Sequence, residues 1–407
     1  MTRALYAPQS PVYSHQVPVV VHTCRHLIFH YGELVLKGRN RHRFEARLID
    51  NIRAKFHHMA IRGIRKLTGR ILVEFDSDQS VQTLSDAASR IFGVANATPV
   101  HVVGPSFDEL AAAVPSLLDG HDFASFAVRC VRAEKRFPLT SQEICQRIGA
   151  QVVQLCGARV DLTAPALTVW IEVLSHMILI GVERIASPAG LPVGTSGRVV
   201  ALLSAGIDSP VAVWRMMQRG CEPVLLHFHS APFTNLASQE KVMALAQALA
   251  RWHAPLQLAM IPFAAFQQEI IARTPESYRV LLYRRCMARV ATQIAHTVRA
   301  EGIVTGDSLG QVASQTLSNL AAVETAVVMP LLRPLVGMDK NEIVQWARRL
   351  GTYEISIEPH QDCCNFLEPQ HPATRSRASD LVRAEGALDL PALVERTVAG
   401  AVWHAVR

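Results

Sequence analysis

The residues with the clearest chemical potential lie in "LLSAGIDSPVAVW", residues 202 to 214. There an apolar run passes through Ser204, Ala205, Gly206, Ile207, Asp208 and Ser209 into a helical pattern. A strand ending at Leu203 and a helix beginning near Ser209 would aim backbone N–H groups and the positive end of a helix dipole at one spot. Small side chains would let an oxyanion come close, so phosphate is the ligand such a spot suits. A tight turn with an Asp or Ser helix cap fits the same letters. The Gly-Lys-Ser/Thr ending of a Walker A loop is missing. A second chemical signal is the adjacent pair Cys363 and Cys364 in "PHQDCCNFLEP". An accessible thiolate there would be a nucleophile. The alternatives are buried, inert thiols, or a metal site with His360 and His371, which adjacent thiolates serve poorly.

These residues need elements to position them. After residue 197 short apolar strands alternate with amphipathic helices ("RVVALL", "SPVAVWRMMQRG", "PVLLHF", "SQEKVMALAQALARW", "LQLAMI"), with a long helical stretch over 276–299. That pattern predicts a parallel sheet covered on both faces, with ligands at the carboxyl ends of its strands. We assign this domain to 198–390, followed by a helical tail at 391–407. Before it, "SPAGLPVGTSG" has no periodicity and reads as a linker over 185–197. An α/β domain occupies 78–184, with helices near 81–92, 106–118 and 140–156. A small α+β domain occupies 24–77: a strand, the loop "GELVLKGRN", a helix over 41–59 with Phe44, Leu48, Ile52 and Phe56 on one face, and two strands. Residues 1–23 contain three prolines and read as a disordered tail that resembles neither a signal nor a transit peptide.

Composition narrows the function classes. With 49% hydrophobic and 18% charged residues in 407, the chain is neither disordered nor fibrous. "VWIEVLSHMILIGVE" is interrupted by Glu172 and His176 and is too short to span a bilayer. Eight scattered cysteines without a CxxC pair argue against a secreted disulfide framework and for the cytoplasm. The six cysteines other than Cys363 and Cys364 sit in apolar contexts and read as core. Net charge is 41 − 34 = +7, unevenly spread: residues 25–70 hold 12 Lys and Arg against Glu33, Glu45 and Asp50, a local +9. Such a field attracts polyanions, although a solvated helix face would carry similar charges.

"SAGIDS" resembles the SGGxDS loop of ATP pyrophosphatases (PP-loop enzymes), with Ala205 at the motif's second position, where the pattern has glycine. If that position required a positive φ, alanine there would be strained. Four further stretches, "YGELVLKGRNRHRFE", "HFHSAPFT", "TGDSLGQVASQTLSNL" and "RPLVGMDKNEIVQWARRLGTYEISI", together resemble the tRNA 4-thiouridine synthetase family, and "RAEKRFPLTSQEICQRIGA" resembles its RNA-binding THUMP domain. The resemblance runs from residue 27 to about 370. It implies an α/β protein with an N-terminal ferredoxin-like domain, a THUMP domain and a PP-loop domain of doubly wound parallel sheet. It also implies a reaction: O4 of the uridine at tRNA position 8 attacks the α phosphate of ATP, pyrophosphate leaves, and C4 then takes sulfur from a protein persulfide with loss of AMP.

By the same resemblance Ser204, Gly206, Asp208 and Ser209 would hold the pyrophosphate end of ATP, with Mg²⁺ near Asp208. Leu202, Leu203, His227 and Phe228 would line the adenosine, and Arg284, Gly306 and Gln315 would make further ATP contacts. Arg284 is otherwise an exposed helix arginine beside Arg285, and Lys241 either reaches phosphate or is an ordinary helix lysine. Cys363, then Cys364, would carry or resolve the persulfide. Lys37, Arg39, Arg41, Arg43, Arg132, Lys135 and Arg136 would contact RNA phosphates, which fix register without reading sequence. The implied partners are tRNA, a cysteine desulfurase or other persulfide donor, a ThiS-like sulfur carrier protein if the chain also serves thiamine thiazole synthesis, and a second copy in a homodimer, with no membrane. Longer members end in a rhodanese-like domain with its own persulfide cysteine; this sequence reads as the form without it. Two other readings stay open. One is a non-catalytic tRNA-binding protein with a decayed PP-loop. The other is a PP-loop ligase for a small molecule, which would leave the basic N-terminal domains without a role.

Overall fold

A computed structural model describes residues 23–233, 236–359 and 372–407. They form two compact units. One comprises 77–84 and 99–183 with the segment before Leu27; the other comprises 27–76, 85–98 and 184–407. The N-terminal α+β block and the nucleotide block, separate domains by sequence, thus share one unit. The expected tail lies outside the described residues except for Thr23, which begins β1 (Thr23–His30).

The stretch read as a loop after β1 is a 3-10 turn over Glu33–Asn40, broken at Gly38, where φ is +50°. Only glycine adopts that conformation without strain. α1 (Arg41–Lys55) follows and stops short of the expected Met59, with Phe56 as its C-cap. Leu48 and Ile52 face inward from α1, and the Phe56 ring packs 6.2 Å from Phe29 and 5.5 Å from Phe75. Then come β2 (Ile61–Leu67), β3 (Arg70–Ser80), α2 (Val81–Ala88) and β4 (Asn96–Val103). Strand order here is β2-β3-β1-β4.

The other unit continues with α3 (Phe107–Leu118), β5 (Ser125–Arg132), α4 (Ser141–Cys156), β6 (Arg159–Val160), β7 (Leu167–Val173) and β8 (Ile178–Gly181). Both helices start on side-chain caps. Ser106 accepts from the Glu109 N–H, and Thr140 and Glu143 cap each other's backbone reciprocally. β5 runs parallel to β7, with Phe126 opposite Leu167, and β7 runs antiparallel to β8. Leu110, Val114, Ile144, Ile148, Val169 and Ile171 fill the core between sheet and helices. Cys156 is exposed at the end of α4, against the expectation of a core position.

The segment read as a linker is packed. It forms β9 (Ile185–Ala186), paired with β4, and buries Leu191 and Val193, with Leu191 N–H donating to the Gln218 carbonyl at 2.9 Å. Two apolar side chains in a Gly- and Pro-rich string were enough to seat it.

The nucleotide block then alternates β10 (Arg198–Leu202), α5 (Asp208–Gln218), β11 (Glu222–His229), α6 (Ala237–Ala250), β12 (Leu256–Pro262), α7 (Ala264–Arg273), α8 (Arg279–Val298), β13 (Ile303–Val304), α9 (Leu317–Glu324) and β14 (Leu331–Leu332). It ends with α10 (Lys340–Leu350), α11 (Tyr353–Ile357), α12 (Ala378–Glu385), α13 (Leu390–Ala399) and β15 (Val402–Val406). The sheet order is β14-β13-β10-β11-β12-β15. Its first five strands are parallel, and buried apolar clusters cover both faces. The expected helical tail at 391–407 is corrected at its end: after α13 the chain returns as β15, antiparallel to β12, with Leu256 opposite Val406. The strand gives an otherwise open edge its partner and buries Val406. Among the described residues no helix is long and apolar enough to cross a membrane.

Candidate nucleotide and RNA sites

The loop between β10 and α5 folds on the hydroxyl of Ser209. Ser204 N–H donates to Ser209 Oγ at 2.9 Å, Ser209 Oγ donates to the Ser204 carbonyl at 3.2 Å, and Gly206 N–H donates to Ser204 Oγ at 3.3 Å. Ala205 is buried in the core and is not among the positive-φ residues, so the alanine imposes no backbone strain. The helix behind the loop is firmly anchored. Trp214 on α5 is 1% exposed and packs 5.6 Å from Phe92, 5.4 Å from Trp252 and 4.8 Å from Trp346. Such pairs add about 0.5–1.5 kcal/mol each beyond their buried area. Pro210 in the first turn has no N–H to leave unsatisfied.

Parallel pairing brings three further loops to this end of the sheet. Gly306 follows β13, and a Cβ there would lie 2.8 Å from Ser209 N and 2.9 Å from its Cα, so only glycine lets the two backbones meet. His227 is buried at the end of β11, its Nδ1 3.0 Å from the Leu203 carbonyl. Leu203 and Phe228 belong to the cores on opposite sheet faces, and Leu202 packs against one of them. The expected adenosine-lining residues therefore also serve as packing.

Asp208 is held from two sides: Lys340 Nζ lies 2.6 Å from one carboxylate oxygen and Gln311 Nε2 donates to the other at 3.0 Å. Arg284 pairs with Asp307 and donates to Ser314 Oγ at 3.2 Å, and Gln315 Nε2 donates to Asp307 at 3.3 Å. The site thus brings together Ser204, Gly206, Asp208, Ser209, Gly306, and the linked Arg284 and Gln315. Sequence reasoning missed Lys340, Gln311, Asp307 and Arg333. All four lie inside the quoted "TGDSLGQVASQTLSNL" and "RPLVGMDKNEIVQWARRLGTYEISI", so their stretches were visible but their partners were not.

Lys241 is engaged within the fold. It is buried, and its ammonium donates to the Ser356 and Glu358 carbonyls, both at 2.6 Å. It clamps the end of α11, while Ser356 Oγ donates to the Gly206 carbonyl at 3.3 Å. Cys363, Cys364, His360 and His371 lie outside the described residues. Of the described thiols, burial pushes Cys286 up to about 12 and Cys130 to about 11, and raises Cys24, Cys145 and Cys221. Those five stay protonated at neutral pH. Among the described residues no group of three or more His, Cys, Asp or Glu is arranged to hold a metal.

The basic residues divide into displayed and structural ones. Arg39 and Arg43 are exposed beside the Gly38 turn. Lys37 lies 5.2 Å from the Phe44 ring centroid. Arg41 is engaged: it donates to Glu45 at 2.6 Å and to the Tyr31 hydroxyl at 2.9 Å. Glu33 accepts a two-pronged pair from Arg219 at 2.9 and 2.8 Å, tying the start of this basic segment to the end of α5. In the other unit Arg132 is structural as well, donating to the Phe137 and Leu139 carbonyls at 3.1 and 2.7 Å. It braces the turn on which Lys135 and Arg136 stand exposed. Arg41 and Arg132 thus also serve the scaffold, each directing two hydrogen bonds at neighbours, while other donors of either guanidinium stay uncommitted.

Comparison with known proteins agrees with this layout. The family described as "Thiamine biosynthesis protein (ThiI)" matches residues 194–390, the "ThiI ferredoxin-like domain" 26–98, and the "THUMP domain" 105–183. The chain belongs to the ThiI family. A Moorella thermoacetica protein described as "Probable tRNA sulfurtransferase" is 41% identical over 370 residues, covering 91% of this chain and 94% of its own length. A Thermus thermophilus protein of the same description is 43% identical over 384 residues, covering 92% and 93%. A solved structure, of a 4-thiouridine synthetase–RNA complex with bound ATP, matches with a TM-score of 0.85 at 36% identity, covering 94% of this chain and all of that one. As a ThiI-family member the chain has a ferredoxin-like region, a THUMP domain and a PP-loop domain.

Proposed function

We propose that this protein is an ATP-dependent tRNA sulfurtransferase that converts a uridine, at tRNA position 8 by the family resemblance, to 4-thiouridine. The observation that carries the reading is the phosphate-sized corner formed by the Ser204–Ser209 loop, with Gly306 pressed against Ser209 and Asp208 poised between Lys340 and Gln311. The N-terminus of α5 attracts the phosphates of ATP. Uridine O4 attacks the α phosphorus, forming the O–P bond as the bond to pyrophosphate breaks and that group leaves with the electron pair. A sulfur nucleophile then adds at C4, and AMP departs with the C4–O electrons.

Mg²⁺ fits the donors present. Asp208 is a hard carboxylate, and the neighbouring Gln311 Oε1 is buried without a partner among the described residues. Bound there, the ion would help neutralise the leaving pyrophosphate. Sulfur would come from a cysteine desulfurase or a similar persulfide donor through Cys363, with Cys364 as the second choice. The outer sulfur of the Cys–S–SH adds to C4, and a second thiol then attacks the carrier's inner sulfur, so the S–S bond breaks with its electron pair going to the sulfur on C4 and a disulfide is left for a thiol reductant to clear. Burial, full or partial, of five of the six described thiols supports that choice, because a buried, protonated thiol neither accepts nor passes sulfur readily; the sixth, Cys156, is exposed but stands at the end of α4, in the other unit from the Ser204–Ser209 loop.

The test is a purified reaction of unmodified tRNA, ATP and a cysteine desulfurase, read as AMP formed and 4-thiouridine detected by mass spectrometry of nucleosides. No 4-thiouridine under any sulfur supply would refute the assignment. Cys363→Ser is expected to keep tRNA-dependent pyrophosphate release, to fail with the desulfurase, and to regain product with high free sulfide, which reaches C4 unaided. Full activity with the desulfurase would remove the relay.

tRNA binding is expected to draw on Arg39 and Arg43. Replacing both by Ala should weaken binding and lower the slope of log affinity against log salt by roughly two units if each contacts one phosphate. Arg41 is left intact in this test because it also donates to Tyr31 and Glu45, so its loss would disturb contacts within the fold. An unchanged slope would mean that the two side chains are only solvated.

A further inference from the structure

Asp307 is the most heavily engaged carboxylate at the nucleotide end of the sheet, and no role in the reaction has yet been assigned to it. Its side chain is 7% exposed. One oxygen takes Arg284 and the Gln315 amide at 3.3 Å; the other takes the Thr305 hydroxyl at 2.8 Å, with Arg333 Nε at 3.5 Å. Arg333 has a second acid, Glu324, at 2.7 Å. Among the described residues Asp307 is the one carboxylate paired with Arg284. A carboxylate only accepts, so Gln315 must turn its NH₂ toward Asp307 and its oxygen away. That oxygen is buried and has no partner among the described residues, which leaves an acceptor for a donor on a bound molecule. Asp307 directly follows Gly306, the residue packed against Ser209.

We propose that Asp307 is a positioning residue for the nucleotide: it holds the Arg284 guanidinium in the orientation that ATP meets. The proposal rests on the reading of Arg284 as an ATP contact. A guanidinium fixed in advance loses less freedom when the phosphates arrive, so Asp307 acts on ATP through Arg284 and touches neither substrate.

The test is a double-mutant cycle with Arg284→Ala and Asp307→Asn, read as the ATP concentration for half-maximal tRNA-dependent pyrophosphate release. Each single change is expected to raise it about tenfold, and the double variant should be no worse than Arg284→Ala alone, with tRNA affinity unchanged throughout. If the Asp307→Asn effect multiplies with that of Arg284→Ala, or ATP half-saturation does not move, the positioning role is overturned. If Arg284→Ala itself leaves ATP half-saturation unchanged, the ATP reading of that residue fails as well. Should Asp307→Asn not fold, Thr305→Val removes one hydrogen bond to the same carboxylate at nearly constant shape. It should give a smaller rise that likewise vanishes in the Arg284→Ala background, and a rise that persists there would overturn the proposal.

Discussion

Asp208→Ala is expected to lower tRNA-dependent pyrophosphate release by roughly a hundredfold or more, the loss typical when a group that stabilises transition-state charge is removed. Affinity for tRNA should stay within a few fold. The carboxylate stands at the first residue of α5, at the corner proposed for the pyrophosphate, whereas Arg39, Arg43, Lys135 and Arg136 belong to other elements. The fold should barely notice. The Asp208–Lys340 pair is half open to solvent on the lysine side, and an exposed pair contributes at most about 1 kcal/mol. Filter binding, pyrophosphate release and a melting curve on one preparation separate these effects. Equal losses of binding and turnover would contradict the division of labour.

Glu385→Ala is expected to be the most destabilising of the substitutions considered, by about 3–5 kcal/mol. Glu385 on α12 accepts from Arg285 at 2.7 and 2.8 Å and from Arg289 at 2.9 Å. Arg285 is fully buried, and its remaining donors reach the Ala322 carbonyl and, at 2.7 Å, Thr325 Oγ1. Removing the acid leaves a desolvated guanidinium without its counter-charge. Glu385→Gln keeps one acceptor and should cost less. Four of the five tryptophans, all but Trp170, lie in the same unit as Glu385, so urea unfolding followed by tryptophan fluorescence reports on that unit. A midpoint unchanged in Glu385→Ala would show that water replaces the carboxylate. Arg284 sits next to Arg285 on α8, so a loosened α8 would also blur the nucleotide wall.

Local pattern carried much of this to the reader of the sequence. Alternation of short apolar strands with amphipathic helices announced a parallel sheet, and a knot of small residues after a strand announced a phosphate corner; both rest on neighbours in sequence. What stayed hidden depended on distant partners. The letters could not tell Arg41 from Arg43, because the difference is whether Tyr31 and Glu45 stand within reach. Nor could they show that Arg132 also braces the Phe137 and Leu139 carbonyls. The sequence left Lys241 open between a phosphate contact and an ordinary helix lysine, because nothing nearby in the chain foretold the Ser356 and Glu358 carbonyls. The last strand hid behind a helix, since five residues give too little alternation to mark β15. The concern over Ala205 assumed a backbone twist that the loop does not have.

The discontinuous second unit has a consequence for how the chain comes into being. Every residue of the unit that contains 99–183 precedes Arg184, so it can close while the rest is still being synthesised. Its companion cannot. Glu33 must wait for Arg219, Asn51 for the Val193 carbonyl and Lys55 for the Arg251 carbonyl, contacts between residues 186, 142 and 196 apart in the chain. β12 gains its outer neighbour only when Val402–Val406 emerges at the very end. Long-range contacts of this kind form slowly because the intervening chain must first be gathered in. On the ribosome, where domains fold as units as they emerge, the THUMP module would be complete before the nucleotide module has its final strand. Until then the outer edge of β12 stands unpaired, open to the wrong strand from a neighbouring nascent chain.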